Sequence, residues 1–187
     1  MSPWITGALT VSLAMSAPLA GSSAQEPLDA VLHRADGRKV PLSEWRGKPV
    51  ILFYEDRDST QLNARFKEEL FARAQAQGLL DAAWVVAVAD LQAFNFFPAR
   101  PIALSFVKEE EKRQGIPILV DLEGTLGAEP WALPRKTSNV LLLDAEGRPV
   151  YRSSGRMTQE QVDTFFRLLG GLVGRDLAPQ GPALRGQ

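Results

Sequence analysis

The chain predicts an α/β domain built on a mixed central sheet, and three stretches carry that prediction. "PVILFY" (residues 49–54) and "AAWVVAVAD" (residues 82–90) are continuous apolar, β-branched runs bounded by turn residues, the pattern of strands covered on both faces. Between them, residues 60–77 space Leu62, Phe66 and Leu70 four apart among charges, which predicts a helix with one buried face. "NVLLLDAEGRPVYRSSG" (residues 139–155) then reads as an antiparallel hairpin, followed by the amphipathic "TQEQVDTFFRLLGGLV".

Taken in order, residues 28–48 predict a small hairpin turning at Asp36-Gly37, with a short helical turn at residues 43–45. The strand at 49–54 follows, and the helix after it stops at Gly78. Two buried strands joined by a helix form a right-handed βαβ crossover with a parallel pair. "LQAFNFFPARP" is a loop dense in aromatics and proline, and a helix is expected over residues 102–113, solvated by "KEEEKR". "GIPILVDLEG" supplies a short strand and a turn, and "EPWALPRKTS" is proline-interrupted. In the last helix Thr158 and Gln161 make a capping box, while Val162, Phe165, Phe166 and Leu169 face inward. These elements fit one domain over residues 25–172, with a flexible Pro/Gly-rich tail at 173–187.

Composition excludes several functions. The formal charge is −1 and no run is basic enough to neutralise phosphates, so nucleic acid is not an expected partner. The 187 residues contain no cysteine, which removes thiol redox chemistry, disulfides, cysteine zinc sites and covalent haem. No cofactor is expected. Residues 4–20, "WITGALTVSLAMSAPLA", are apolar and uncharged, and Ser22 and Ala24 are small residues placed for cleavage, so residues 1–24 read as an export signal. Lys and Arg are missing before the apolar run, which is atypical of such signals. The run is short for a membrane span, so no stable span is expected once it is removed. A periplasmic or secreted location follows, with a tethered accessory protein as the alternative.

The chain resembles the thioredoxin-like superfamily, particularly its TlpA and peroxiredoxin-like branches, over about residues 35–169. "DGRKVPLSEWRGKPVILFY" is similar to the lead-in to the first central strand of those proteins, and "NVLLLDAEGRPVYRSSG" to their hairpin. The resemblance implies a mixed sheet with a βαβ unit, a C-terminal ββα and helices on both faces. Laying "FYEDRDSTQL" on the family's redox motif puts Asp58 at the first cysteine position and Gln61 at the second, with Ser138 at the position of the cis-proline. "TSNVLLLDAEGRPVYRSSGRMTQEQVDTFFRLL", with Trp131 upstream, looks most like the cysteine-free exported proteins of the YtfJ type. All three redox marks have changed, so the fold implies no activity.

Several residues remain candidates. Asp58 and Gln61 fit an N-cap with its capping partner, and the helix N-terminus would favour the Asp58 carboxylate as it favours a thiolate in redox relatives. Asp58, Gln61, Ser138, Asn139 and Trp131 would border a groove able to hold a protein or extended peptide. Glu55, Asp56 and Asp58 offer hard oxygen ligands for Ca²⁺ or Mg²⁺, against the plainer reading of a solvated acidic loop. A non-thiol enzyme using that loop is the rival to a binding module. His33, the only histidine, lies in the N-terminal hairpin, away from the hydroxyls of Ser59, Thr60 and Ser138, which argues against a triad. Phe94, Phe96 and Phe97 either cover the core edge or border the functional face.

Overall fold

A computed structural model describes residues 26–177; the expected signal at 1–24 and most of the expected tail lie outside them. Seven strands form one sheet: β1 (Val31–Arg34), β2 (Lys39–Pro41), β3 (Val50–Glu55), β4 (Trp84–Asp90), β5 (Ile118–Asp121), β6 (Asn139–Leu143) and β7 (Pro149–Ser154). Their spatial order is β2-β1-β5-β4-β3-β6-β7. β3, β4 and β5 run parallel, while the two hairpins pair antiparallel at either side. The βαβ unit and the C-terminal hairpin therefore stand where the apolar runs put them.

The helices are α1 (Ala64–Gln77), α2 (Leu79–Ala82), α3 (Ala99–Gln114) and α4 (Gln159–Val173). α1 ends because Gly78 takes a left-handed conformation (φ 63°) that L side chains adopt at a cost. α4 opens on the capping box: Thr158 Oγ1 accepts the Gln161 amide and the Gln161 side chain accepts the Thr158 amide. Four of its side chains, Val162, Phe165, Phe166 and Leu169, are buried against α1 and the sheet. Phe66 meets Phe165 edge-on, with centroids 5.0 Å apart, at the centre of that layer.

The long helices and the 3-10 helices divide between the two faces of the sheet. Ile51, Phe53, Ala87, Ala89, Ile118 and Val120 share one face by register, and α1, α3 and α4 all pack there. The cause is topological: β3–α1–β4 and β4–α3–β5 step sideways in the same direction, so right-handed crossovers place both helices on one side. The opposite face, with Leu52, Tyr54, Val86 and Leu141, is covered by 3-10 turns and the connection carrying Leu126, Trp131 and Leu133.

α4 runs to Val173, and Leu177 returns to the core, 1% exposed. Gly170 permits this return, since a Cβ there would stand 2.5 Å from the Arg175 carbonyl oxygen.

Candidate functional site

Glu55 ends β3 and Ser138 immediately precedes β6. The Tyr54–Asn139 pairing sets them side by side, at the C-terminal end of the parallel strands. Ser138 is fully buried and donates its hydroxyl to Glu55 Oε1 at 2.5 Å. Lys67 Nζ, one helical turn into α1, donates to Glu55 Oε2 at 2.6 Å and to the Thr60 carbonyl at 2.9 Å. Asn63 Nδ2 donates to Ser138 Oγ and to the Gly155 carbonyl, each at 2.9 Å, while its Oδ1 accepts the Met157 amide. Four side chains thus tie the ends of β3, α1, β6 and β7 together, and each buried polar group is answered.

This arrangement is closed. Ser138 cannot reach a substrate because it is buried with its proton committed to a carboxylate. Glu55 is likewise occupied on both oxygens, so it does not join Asp56 and Asp58 as a metal ligand. Among the described residues no group of three His, Asp or Glu side chains converges on a point.

The expected cap has moved. α1 begins at Ala64, not residue 60, and residues 57–63 form successive turns before it. Asp56 Oδ1 accepts the Ser59 amide at 2.9 Å and Ser59 Oγ accepts the Asp56 amide at 3.1 Å. The i, i+3 reciprocity read onto Asp58 and Gln61 is made by Asp56 and Ser59, two residues earlier. Asp58 and Gln61 are exposed. Asp58 is therefore in no position to feel the α1 N-terminus as an N-cap would.

Trp131 and Asn139 also have structural roles. Trp131 is 1% exposed on the opposite face of the sheet, its Nε1 donating to the Asp29 carbonyl at 3.1 Å. Asn139 donates to the Tyr54 and Pro134 carbonyls and accepts from Ser154 Oγ at 2.7 Å, holding the preceding loop to the sheet. The X-Pro cis bonds among the described residues are Phe97–Pro98 and Glu129–Pro130, neither at Ser138.

A second polar cluster, not singled out by sequence reasoning, lies on the Trp131 side. Asp90 and Asp121 pair in register at the ends of β4 and β5. Arg135 clasps Asp90 through Nε at 2.7 Å and Nη2 at 3.2 Å, and Asp121 accepts the Thr125 and Leu126 amides. The buried Tyr54 hydroxyl beside them has no hydrogen-bond partner. Burial first, and then the Asp90 and Asp121 charges, push its pKa well above the ordinary tyrosine value.

The exposed feature of this end is apolar. Phe97 is 88% exposed, Phe106 63%, Phe96 59% and Ile102 55%, with Phe94 close behind. Ile102 and Phe106 lie one turn apart on α3, and Val107 is the one residue of that helix counted as buried. The Arg57 guanidinium stands 5.9 Å from the Phe106 ring centroid, which places this face beside the 57–63 loop. Two shallow depressions among the described residues, about 390 and 440 Å³, lie elsewhere, along β7 at Tyr151 and Arg152.

No family model and no curated protein matches the sequence. Solved structures do. A DsbF homologue from Corynebacterium diphtheriae superposes with a TM-score of 0.54 at 14% identity, covering 83% of this chain and 96% of its own. The pneumococcal exposed lipoprotein thioredoxin from Streptococcus pneumoniae gives 0.51 at 23% identity, covering 78% and 100%. A hypothetical protein from Sinorhizobium meliloti gives 0.55 at 23%, covering 83% and 87%. The fold is thioredoxin-like. Identities this low carry the fold and no activity.

Proposed function

We propose that this chain is an exported, redox-inactive thioredoxin-fold protein, of the YtfJ type, that binds another protein through the aromatic face beside its closed end. The observation that carries this reading is the cluster of exposed Phe94, Phe96, Phe97, Ile102 and Phe106 next to the 57–63 loop. Large apolar side chains left exposed together along residues 94–106 mark interaction sites on soluble proteins. The absence of cysteine and the closure around Ser138 remove the chemistry that the fold serves elsewhere. Export is supported by the apolar stretch at residues 4–20. One structural relative is itself an exposed lipoprotein.

The test is comparative purification from native cells of the tagged protein and of a Phe97→Ser/Phe106→Ser variant, read by quantitative mass spectrometry. A partner depleted at least about tenfold by the variant, at unchanged melting temperature, supports the reading. Equal recovery with both proteins counts against it. Sequencing the mature N-terminus separates cleavage near Ala24 from a retained tether.

A further inference from the structure

The aromatic turn that leads into α3 is held from its root. Every residue from 92 to 98 is exposed, so core packing does not set the placement of Phe94, Phe96 and Phe97. Hydrogen bonds at residues 91 and 92 tie the turn to the sheet ends. The Leu91 amide donates to the Asp121 carbonyl at 3.0 Å, the Gln92 amide to Asp90 Oδ1 at 3.1 Å, and Gln92 Nε2 to the Glu123 carbonyl at 3.1 Å. Beyond them the turn follows its own backbone, the Phe94 amide donating to Leu91 and the Phe96 amide to Phe94. A segment with few buried contacts and exposed backbone bonds takes its order from such ties.

Of these ties, the Asp90 bond is controlled by a distant segment. A carboxylate caps an amide only while it keeps one orientation. Arg135 enforces that orientation: its Nε donates to Asp90 Oδ2 at 2.7 Å, and its Nη2 to Oδ1 at 3.2 Å, the same oxygen that takes the Gln92 amide. The Asp90 side chain is 4% exposed and that of Arg135 is 40% exposed. Without the guanidinium, Asp90 would be an unpaired charge out of water, and turning toward solvent would cost it the cap.

The segment that carries Arg135 is shaped to deliver it. Ala132 (φ 46°) and Lys136 (φ 58°), one on each side of Arg135, are exposed non-glycine residues in the left-handed region. Such conformations persist where surrounding contacts impose them. Here the Leu133 amide donates to the Leu126 carbonyl, and Asn139 Nδ2 holds the Pro134 carbonyl at 2.9 Å.

We propose that Arg135 is a positioning residue for the binding face: its clasp on Asp90 fixes the cap that starts the aromatic turn, and so sets Phe94, Phe96 and Phe97 in place for a partner. The role in binding rests on the reading of that face as an interaction surface.

The first half of the test needs no partner. NMR relaxation of the purified chain gives amide order parameters for residues 92–97. Wild type is expected near about 0.85 and Arg135→Met below about 0.6, with α1 and α4 unchanged. Arg135→Lys, which keeps one charged donor, should fall between them. Asp90→Asn/Arg135→Met should be no more mobile than Asp90→Asn alone, because Arg135 acts through that carboxylate. Melting curves check that each variant folds. In the second half, Arg135→Met should lower recovery of the cellular partner at least about fivefold. A rigid turn in Arg135→Met, an added loss of order in the double variant, or full recovery of the partner by a loosened turn overturns the proposal. A rigid turn in Arg135→Met with the partner still lost in Phe97→Ser/Phe106→Ser leaves the binding face standing. A loosened turn with no partner lost in that serine variant leaves the hold of Arg135 on the turn and overturns the binding reading.

Discussion

Ser138 and Glu55, 83 residues apart in sequence, are joined by a 2.5 Å hydrogen bond in the buried end of the sheet. That bond occupies the serine proton, Lys67 answers the other carboxylate oxygen, and Asn63 closes the ring to Gly155 and Met157. A charged group this deeply placed is tolerated because its partners are in place, and it becomes costly when one is removed.

Lys67→Met should therefore destabilise the protein by about 2–3 kcal/mol, below the usual cost for a fully buried pair because Lys67 is 23% exposed. Urea unfolding measures it. Adding Glu55→Gln to that variant should recover part of the loss, since the stranded charge is gone. Equal stability of Lys67→Met and wild type would mean that the network carries no weight.

The relocated cap gives a paired prediction. Asp56→Ala should cost about 1 kcal/mol, because it frees the Ser59 amide, whereas Asp58→Ala should stay within about 0.5 kcal/mol. Thermal or urea melts of the two variants distinguish this arrangement from a cap at Asp58, which would reverse the order.

Tyr54 sets a dependence on alkaline pH. Its folded-state pKa is raised by burial and by Asp90 and Asp121, so its contribution is present below about pH 10 and is lost as pH rises beyond that. Tyr54→Phe should equal or exceed wild-type stability at pH 7, by up to about 1 kcal/mol, since the removed hydroxyl has no partner. Above about pH 10 its advantage should grow. Tyr151, also raised by burial, is present in both proteins and cancels in the comparison.

Restoring sulfur should not restore redox chemistry. In Asp58→Cys/Gln61→Cys the first thiol would sit in the turns before α1, away from the amides that lower a thiol pKa at a helix N-terminus. It should titrate near about 8.5 by iodoacetamide kinetics, and insulin reduction should stay at background.

The sequence carried the elements whose signals are local. Apolar runs announced β3 and β4, and the Thr158–Gln161 spacing announced the start of α4. The site was less legible for a physical reason. Residues 55–63 read as a strand, a polar loop and a helix start, but the start was decided by a reciprocal pair two residues upstream. Glu55 reads as a loop acid until β6 delivers Ser138 to it. Trp131 resembled a border of the functional face, yet the one-sided helix layer leaves the opposite face to be covered by the connection that carries it. The exposed phenylalanines were noticed in sequence; only the structure separates them from core-edge cover.

Photo-crosslinking most directly tests the claim that function has moved from the closed end to the α3 face. A benzoylphenylalanine probe would be placed in turn at Phe97, Phe106, Val150 and Leu172, all exposed positions, in native cells. The account predicts adducts with one common partner at positions 97 and 106 and none at 150 or 172. Adducts confined to 150 or 172, or none at any position, would contradict it.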